Sequence, residues 1–209
     1  MRIIGGIAGG RLLATPKGLT VRPTPDLVRQ AVFNSLGPAV EETDVLDLFS
    51  GTGALGLEFL SRGARSVLSV ELSSKHARFI RDNVRSLGLP VAAHELRVQE
   101  ALGAVRQLAR TDRRFDFIVA DPPFGPKTAK ERSTSLSQQL LDLPEVRSLL
   151  RVGGRLVLGH ARRDQVSVGS EWKSLRVLEH GDSTFRILEA DAPVSPGPVP
   201  LGDSGAQAL

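Results

Sequence analysis

Residues 45–58 read V-L-D-L-F-S-G-T-G-A-L-G-L-E. Val45–Phe49 is an apolar run of strand length, and Ala54–Ser61 has the periodicity of an amphipathic helix. Between them Gly51 and Gly53 permit a tight turn and a close approach of the backbone to a ligand. A strand, a glycine turn and a helix in this order open a parallel, helix-covered sheet. In such sheets ligands bind outside the carboxyl ends of the strands. The helix that begins near Ala54 offers unpaired N–H groups to a carboxylate or phosphate.

Outward from this unit, strand and helix patterns alternate. Ser66–Val70 reads as a second strand, followed by a helix from about Ser74 to Leu87 that Gly88 closes. Leu96–Val98 is a weak third strand and Ala101–Ala109 a helix. Phe115–Ala120 is a fourth strand, Ser135–Leu150 a helix broken at Pro144, and Gly154–Leu158 a fifth strand. Leu175–Leu178 and Phe185–Leu188 pair as a hairpin across His180-Gly181-Asp182. Ahead of the sheet, R-P-T-P-D-L-V-R-Q-A-V-F-N-S-L-G-P predicts a helix capped by Thr24 or Asp26 and stopped by Gly37-Pro38. The expected fold class is α/β: a Rossmann-like, mostly parallel seven-stranded sheet with helices on both faces and a C-terminal antiparallel hairpin. The start, R-I-I-G-G-I-A-G-G-R-L-L, reads as a small β-hairpin arm over residues 1–21. The main domain then spans 22–190, and the Pro/Gly-rich stretch 191–209 reads as a disordered tail.

Gly51, Gly53 and Gly56 satisfy G-x-G-x-x-G, and Glu71 ends the second strand twenty residues after Gly51. That is also a dinucleotide fingerprint, so NAD is a rival ligand. Asp47 tilts the reading away from it. A dinucleotide strand buried on both faces is apolar throughout, and a carboxylate inside it must be paired or must face a cationic ligand. The sulfonium and ammonium of S-adenosylmethionine supply positive charge, and its carboxylate suits the glycine loop. Glu71 then takes the two ribose hydroxyls. Glu100, after the third strand, accepts from the adenine amino group or caps the following helix, two roles of equal weight.

The fourth strand ends in Asp121-Pro122-Pro123-Phe124, on the same rim as the glycine loop. An exocyclic amine on a nucleobase is a poor nucleophile because its lone pair is delocalised into the ring. Asp121 and the Pro122 carbonyl are spaced to accept one N–H each. Pro123 adds no competing donor, and Phe124 stacks on the base, a contact worth roughly 1–3 kcal/mol. A base in structured nucleic acid must be flipped out to reach this rim.

Composition narrows the setting. Hydrophobic residues are 41% of the 209 and charged residues 24%, as in an ordinary globular domain. No apolar run is long enough to span a bilayer and no signal-peptide pattern opens the chain, so a cytoplasmic protein is expected. The absence of cysteine excludes disulfides and thiolate chemistry. Four scattered histidines (76, 94, 160 and 180) predict no metal site. Net charge is +4, and residues 1–35 hold Arg2, Arg11, Lys17, Arg22 and Arg29 against Asp26 alone. A basic arm beside a near-neutral body is compatible with a polyanionic partner. Lys127, Lys130 and Arg132, after Phe124, form a basic loop that suits RNA phosphates. Trp172 is expected to pack rather than to stack on a base.

D-L-F-S-G-T-G with D-P-P-F resembles the class I S-adenosylmethionine-dependent amino-methyltransferases. The arm, the R-P-T-P-D helix start, L-G-L-E-F-L-S-R-G-A and the late G-D-S-T-F-R-I-L resemble the RsmD-type 16S ribosomal RNA (guanine-N2) methyltransferases, over residues 1 to 190. The resemblance implies methylation of one guanine N2 in the small ribosomal subunit or its assembly intermediate, by a monomer. It implies cofactor contacts from the loop Phe49, Ser50, Gly51, Thr52 and Gly53, from Asp47, from Glu71 and Leu72, and from Glu100 and Ala101. Thr24, with Arg22 and Pro23, is placed beside the cofactor's methionine end, and the arm faces RNA. The catalytic positions are Asp121, Pro122, Pro123 and Phe124. This chain has Gly159-His160 where relatives more usually carry an acid, so no function passes to His160.

Overall fold

The computed structural model describes residues 1–16, 24–125 and 133–190. The expectations for Arg22 and Pro23, for the basic loop with Lys127, Lys130 and Arg132, and for the tail from Asp191 lie outside the described residues.

The elements in order are α1 (Asp26–Leu36), β1 (Asp44–Leu48), α2 (Ala54–Ser61), β2 (Ser66–Glu71), α3 (Ser74–Ser86), β3 (His94–Val98), α4 (Ala101–Leu108), β4 (Phe115–Ala120), α5 (Leu136–Asp142), α6 (Pro144–Ser148), β5 (Leu150–Ala161), β6 (Trp172–His180) and β7 (Ser183–Ala190). They build the expected seven-stranded sheet, in the order β3-β2-β1-β4-β5-β7-β6. β1 to β5 run parallel and β7 is antiparallel to both β5 and β6. Strand alternation sends successive side chains to opposite faces. Val45, Phe117, Val119 and Val157 pack with α1, α2 and α3, whereas Leu46, Leu48, Ile118 and Leu158 pack with α4, α5 and α6.

Several boundaries differ from expectation. α1 is capped by neither Thr24 nor Asp26: Pro25 stands at the N-cap with φ −57° and no side chain bonds the first turn. A proline there starts a helix without losing a hydrogen bond. Asp26 sits in the first turn instead and holds Arg29 at 2.7 Å. The break at Pro144 is present and separates α5 from α6, but the helical stretch stops short of Leu150, which begins β5. β5 runs twelve residues rather than Gly154–Leu158, because it pairs with β4 from Leu150 and with β7 as far as Ala161. Both hairpin strands are likewise longer than the apolar cores that predict them, and Trp172 packs, 5% exposed.

α2 is not amphipathic, since every residue from Leu55 to Ser61 is buried. The N-terminal arm covers the side that solvent was expected to cover. A single antiparallel bridge, Arg2 to Leu12, closes the arm, and Ile3, Ala8 and Leu13 enter the core of the main domain. The Glu58 carboxylate accepts from the Ile4 and Gly5 N–H groups at 2.7 and 2.8 Å and from Arg62 Nε at 2.7 Å. Ser61 receives the Ala8 N–H and donates to the Gly5 carbonyl. Gly6, at φ +75°, must be glycine, since a Cβ would stand 1.8 Å from the Ser61 carbonyl oxygen.

The arm is therefore stapled to α2 by one fully buried acid. Replacing it (Glu58→Ala) strands two amides and a guanidinium, and should cost about 3 kcal/mol. Urea denaturation measures this, and hydrogen exchange at Ile4 and Gly5 should accelerate before global unfolding.

Candidate active site

Sheet register brings three carboxylates together. Asp47 of β1 stands opposite Ser69 of β2 and Val119 of β4. Glu71 and Asp121 lie two residues beyond those partners. All three therefore end neighbouring strands on the face covered by α2. Among the described residues, the one basic group within ion-pair reach of this set is His76, 3.4 Å from Glu71.

Asp47 is 1% exposed and accepts the Gly56 N–H at 3.2 Å. Burial pushes its carboxyl up to about 7, and the charges of Glu71 and Asp121 add to the rise. Gly56 is required by packing, because a Cβ would lie 2.7 Å from the Asp47 Oδ2. The strand ends one residue earlier than expected: Phe49 already turns, at φ 57°, and Gly51 and Gly53 follow at φ 57° and 87°. Ser50 Oγ donates to the Asp47 carbonyl at 2.7 Å and receives the Val70 N–H at 3.1 Å, which fixes the loop across β1 and β2. Glu71 accepts the Gly51 N–H and the Ser73 N–H through different oxygens, each at 2.8 Å. Leu72, next in sequence, leaves 70% of its surface open at this rim.

Glu100 takes the capping role. Its two oxygens accept the Leu102 and Gly103 N–H groups at 2.8 and 2.6 Å, and Ala101 beside it is buried at the start of α4.

Asp121 follows β4, and burial raises its carboxyl to about 6 while a hydrogen bond from Thr24 pulls the other way. The Thr24 hydroxyl donates to Oδ2. Thr24 is therefore placed at the Asp121 carboxylate, a position that its reading as a helix cap or cofactor contact did not reveal. The other oxygen, Oδ1, occupies space that only a glycine at 159 leaves free, since a Cβ there would stand 2.4 Å from it. Pro122 is buried and Pro123 exposed, while Phe124 leaves 42% of its surface open. His160 turns away from the site: Arg186 Nε donates to its Nε2 at 3.1 Å, and Nδ1 lies 2.9 Å from the Ala161 carbonyl. Burial lowers its pKa.

Sequence reading missed two further polar residues. Glu58 stands in an otherwise apolar helix, and Asn83 falls on the apolar stripe of α3 with Ala77, Ile80 and Val84. A polar residue at an apolar phase was the available signal in both cases.

This sheet order, with a glycine turn after β1, an acid ending β2 and D-P-P-F after β4, is that of the class I S-adenosylmethionine-dependent methyltransferases. Within that class, residues 1–189 match the family described as conserved hypothetical protein 95, and the chain belongs to this family of RsmD-type methyltransferases. Ribosomal RNA small subunit methyltransferase D of Haemophilus influenzae is 33% identical over 189 residues, covering 90% of this chain and 93% of that one. The protein of the same name from Escherichia coli is 37% identical over 124 residues, 59% of this chain and 60% of that one. Among solved structures, yhhF from Escherichia coli matches with a TM-score of 0.75 at 26% identity, covering 92% of this chain and 98% of that chain. SMU.776, complexed with SAH, matches with a TM-score of 0.63 over 79% of this chain and 50% of that chain; at 16% identity this is a likeness of fold. Family membership sets the NAD reading aside.

Glu100→Ala tests the cap. It should cost about 1 kcal/mol of stability in denaturant titration and leave S-adenosylhomocysteine affinity, measured by calorimetry, within about twofold of wild type.

Proposed function

We propose that the protein transfers a methyl group from S-adenosylmethionine to the exocyclic N2 of a guanine in 16S ribosomal RNA, as a monomer acting on the small subunit or its assembly intermediate. One observation carries the reading: a group of three carboxylates, ending in Asp121, that meets no guanidinium or ammonium among the described residues, on the rim that also presents the glycine turn and an open Phe124. Such a group is complementary to a ligand with cationic centres and to an amine with two N–H donors. Relatives named ribosomal RNA small subunit methyltransferase D supply the RNA class, and the D-P-P-F chemistry supplies the amine.

The residues present fit S-adenosylmethionine. When bound, the cofactor supplies a methyl group made electrophilic by the sulfonium that carries it. Asp47 would hold its positive groups, and the Thr52 amide its carboxylate, since the Ser50, Gly51 and Gly53 N–H groups are engaged within the fold. Glu71, already fixed by two amides, would hold the ribose hydroxyls, with Leu72 against the adenine.

Asp121 performs the remaining work. Thr24 pins Oδ2 and leaves Oδ1 to accept one amine N–H, while the Pro122 carbonyl accepts the second. The amine lone pair is thereby aimed, and charge growing on nitrogen is met by a carboxylate in a partly water-excluded site. Phe124 supports the ring of the flipped base. A strong base is unnecessary, because the alkylated nitrogen becomes acidic and releases its proton late.

The accepting form of Asp121 is the carboxylate. With its pKa raised to about 6, kcat/KM should climb about tenfold per pH unit below 6 and level off above it. Asp121→Ala should reduce kcat about a thousandfold and erase this limb, while weakening S-adenosylhomocysteine binding less than Asp47→Ala does. The identity of the base is tested by methyl transfer to small subunits from a strain lacking the enzyme, followed by nucleoside mass spectrometry. N2-methylguanosine is expected. Label in N6-methyladenosine would replace guanine by adenine as the substrate, since the same clamp accepts either amine.

A further inference from the structure

α3 contacts both the cofactor loop and the arm, and it does so through one side chain. Asn83 is completely buried. Its Nδ2 donates to the Thr52 carbonyl at 3.0 Å and to the Ala14 carbonyl at 3.1 Å, and its Oδ1 accepts the Ala14 N–H at 2.8 Å. Both donors of the amide are thus spent, one on the glycine turn and one on the arm. No other residue type of this size presents two donors and an acceptor in that arrangement. The arm is fixed to the same helix a second time, where Arg11 donates to the Leu87 carbonyl at the C-terminal end of α3. Further along the chain, the Thr24 hydroxyl reaches Asp121. On the other side, Thr52 immediately precedes Gly53, the N-cap of α2.

We propose that Asn83 is a positioning residue that couples the cofactor loop to the N-terminal arm, so that filling the cofactor site stiffens the arm that meets RNA. The inference rests on the methyltransferase reading of the loop. Its physical basis is that the two backbones share one side chain with no spare donor. Displacement of Thr52 is felt by the Nδ2 group and passed to Ala14, since breaking either contact strands a buried polar atom. A ligand that holds the turn in a single conformation removes freedom the arm would otherwise have to surrender when RNA binds. The arm, once held by RNA, returns the same advantage to the cofactor.

The test is hydrogen exchange with and without saturating S-adenosylhomocysteine, read at the Ala14 amide and across residues 50–56. In the wild type the ligand should slow exchange at both places, by about fivefold or more at Ala14. Asn83→Ala should keep ligand protection in the loop but reduce it at Ala14 to less than about twofold, and should weaken S-adenosylhomocysteine about five- to tenfold. Ligand-free Asn83→Ala should already exchange faster at Ala14 than ligand-free wild type. If Asn83→Ala does not fold, Asn83→Asp serves in its place. It keeps the shape and the acceptor for the Ala14 N–H but loses both donors, so the link is cut at Thr52. Two results overturn the inference alone: a wild type that binds S-adenosylhomocysteine without slowing Ala14, or variants whose ligand-dependent protection at Ala14 equals that of the wild type. A wild type that does not bind S-adenosylhomocysteine removes the methyltransferase reading, and the coupling with it.

Discussion

Like charges ending three adjacent strands are the constraint from which the active rim follows. Asp47, Glu71 and Asp121 share one face because each lies an even number of residues along its strand from paired positions. Folding buries Asp47 fully, and among the described residues no guanidinium or ammonium lies within ion-pair reach of the set. Asp47 and Asp121 respond by holding their protons, at about 7 and about 6. Both values lie above that of a free carboxyl, so between the unfolded value and these the folded chain binds more protons than the unfolded one. Stability therefore falls as pH rises across that window. The opposite end of the sheet is arranged differently. There Asp44 binds Arg65 and Arg151, and Asp116 binds Arg151, so that each acid meets a guanidinium. Arg65 and its partners hold Asp44 far below the usual carboxylate range. The two ends of one sheet thus treat acids in opposite ways, and among the described residues only the rim leaves its acids without guanidinium partners, the character of a site for a cationic ligand.

The architecture was legible because the sheet is regular. Apolar runs ending in glycine or proline gave five parallel strands and a closing hairpin, and the break at Pro144 followed from backbone chemistry. Errors arose where tertiary partners overrode local pattern. Gly154 read as the start of a strand, yet β5 runs back to Leu150, which pairs with Phe115 across an irregularity in the β4 register. α2 read as half-exposed because nothing in its own sequence announces that residues 1–13 will lie across it. In the site, Asp47, Glu71 and Asp121 were legible as acids at strand ends. Thr24 and Asn83 were not, because their partners stand 97, 69 and 31 residues away.

Charge counting also promised more than the fold delivers. The excess of basic residues in the first 35 positions suggests a cationic arm laid open to a polyanion. In the structure Arg29 is wholly buried beneath the arm, where burial lowers its pKa, and it donates to Asp26 and the Arg2 carbonyl. Arg11 spends a donor on α3, and Arg2 lies 3.7 Å from Asp26. These contacts fasten the arm to α1 and α3, while Arg2 and Arg11 themselves stay exposed beside Ile7 and Leu12, each more than 70% exposed. The placement of the arm is set by buried side chains of the main domain, Glu58 on α2 and Asn83 on α3, rather than by its own hydrogen-bonded pairing alone.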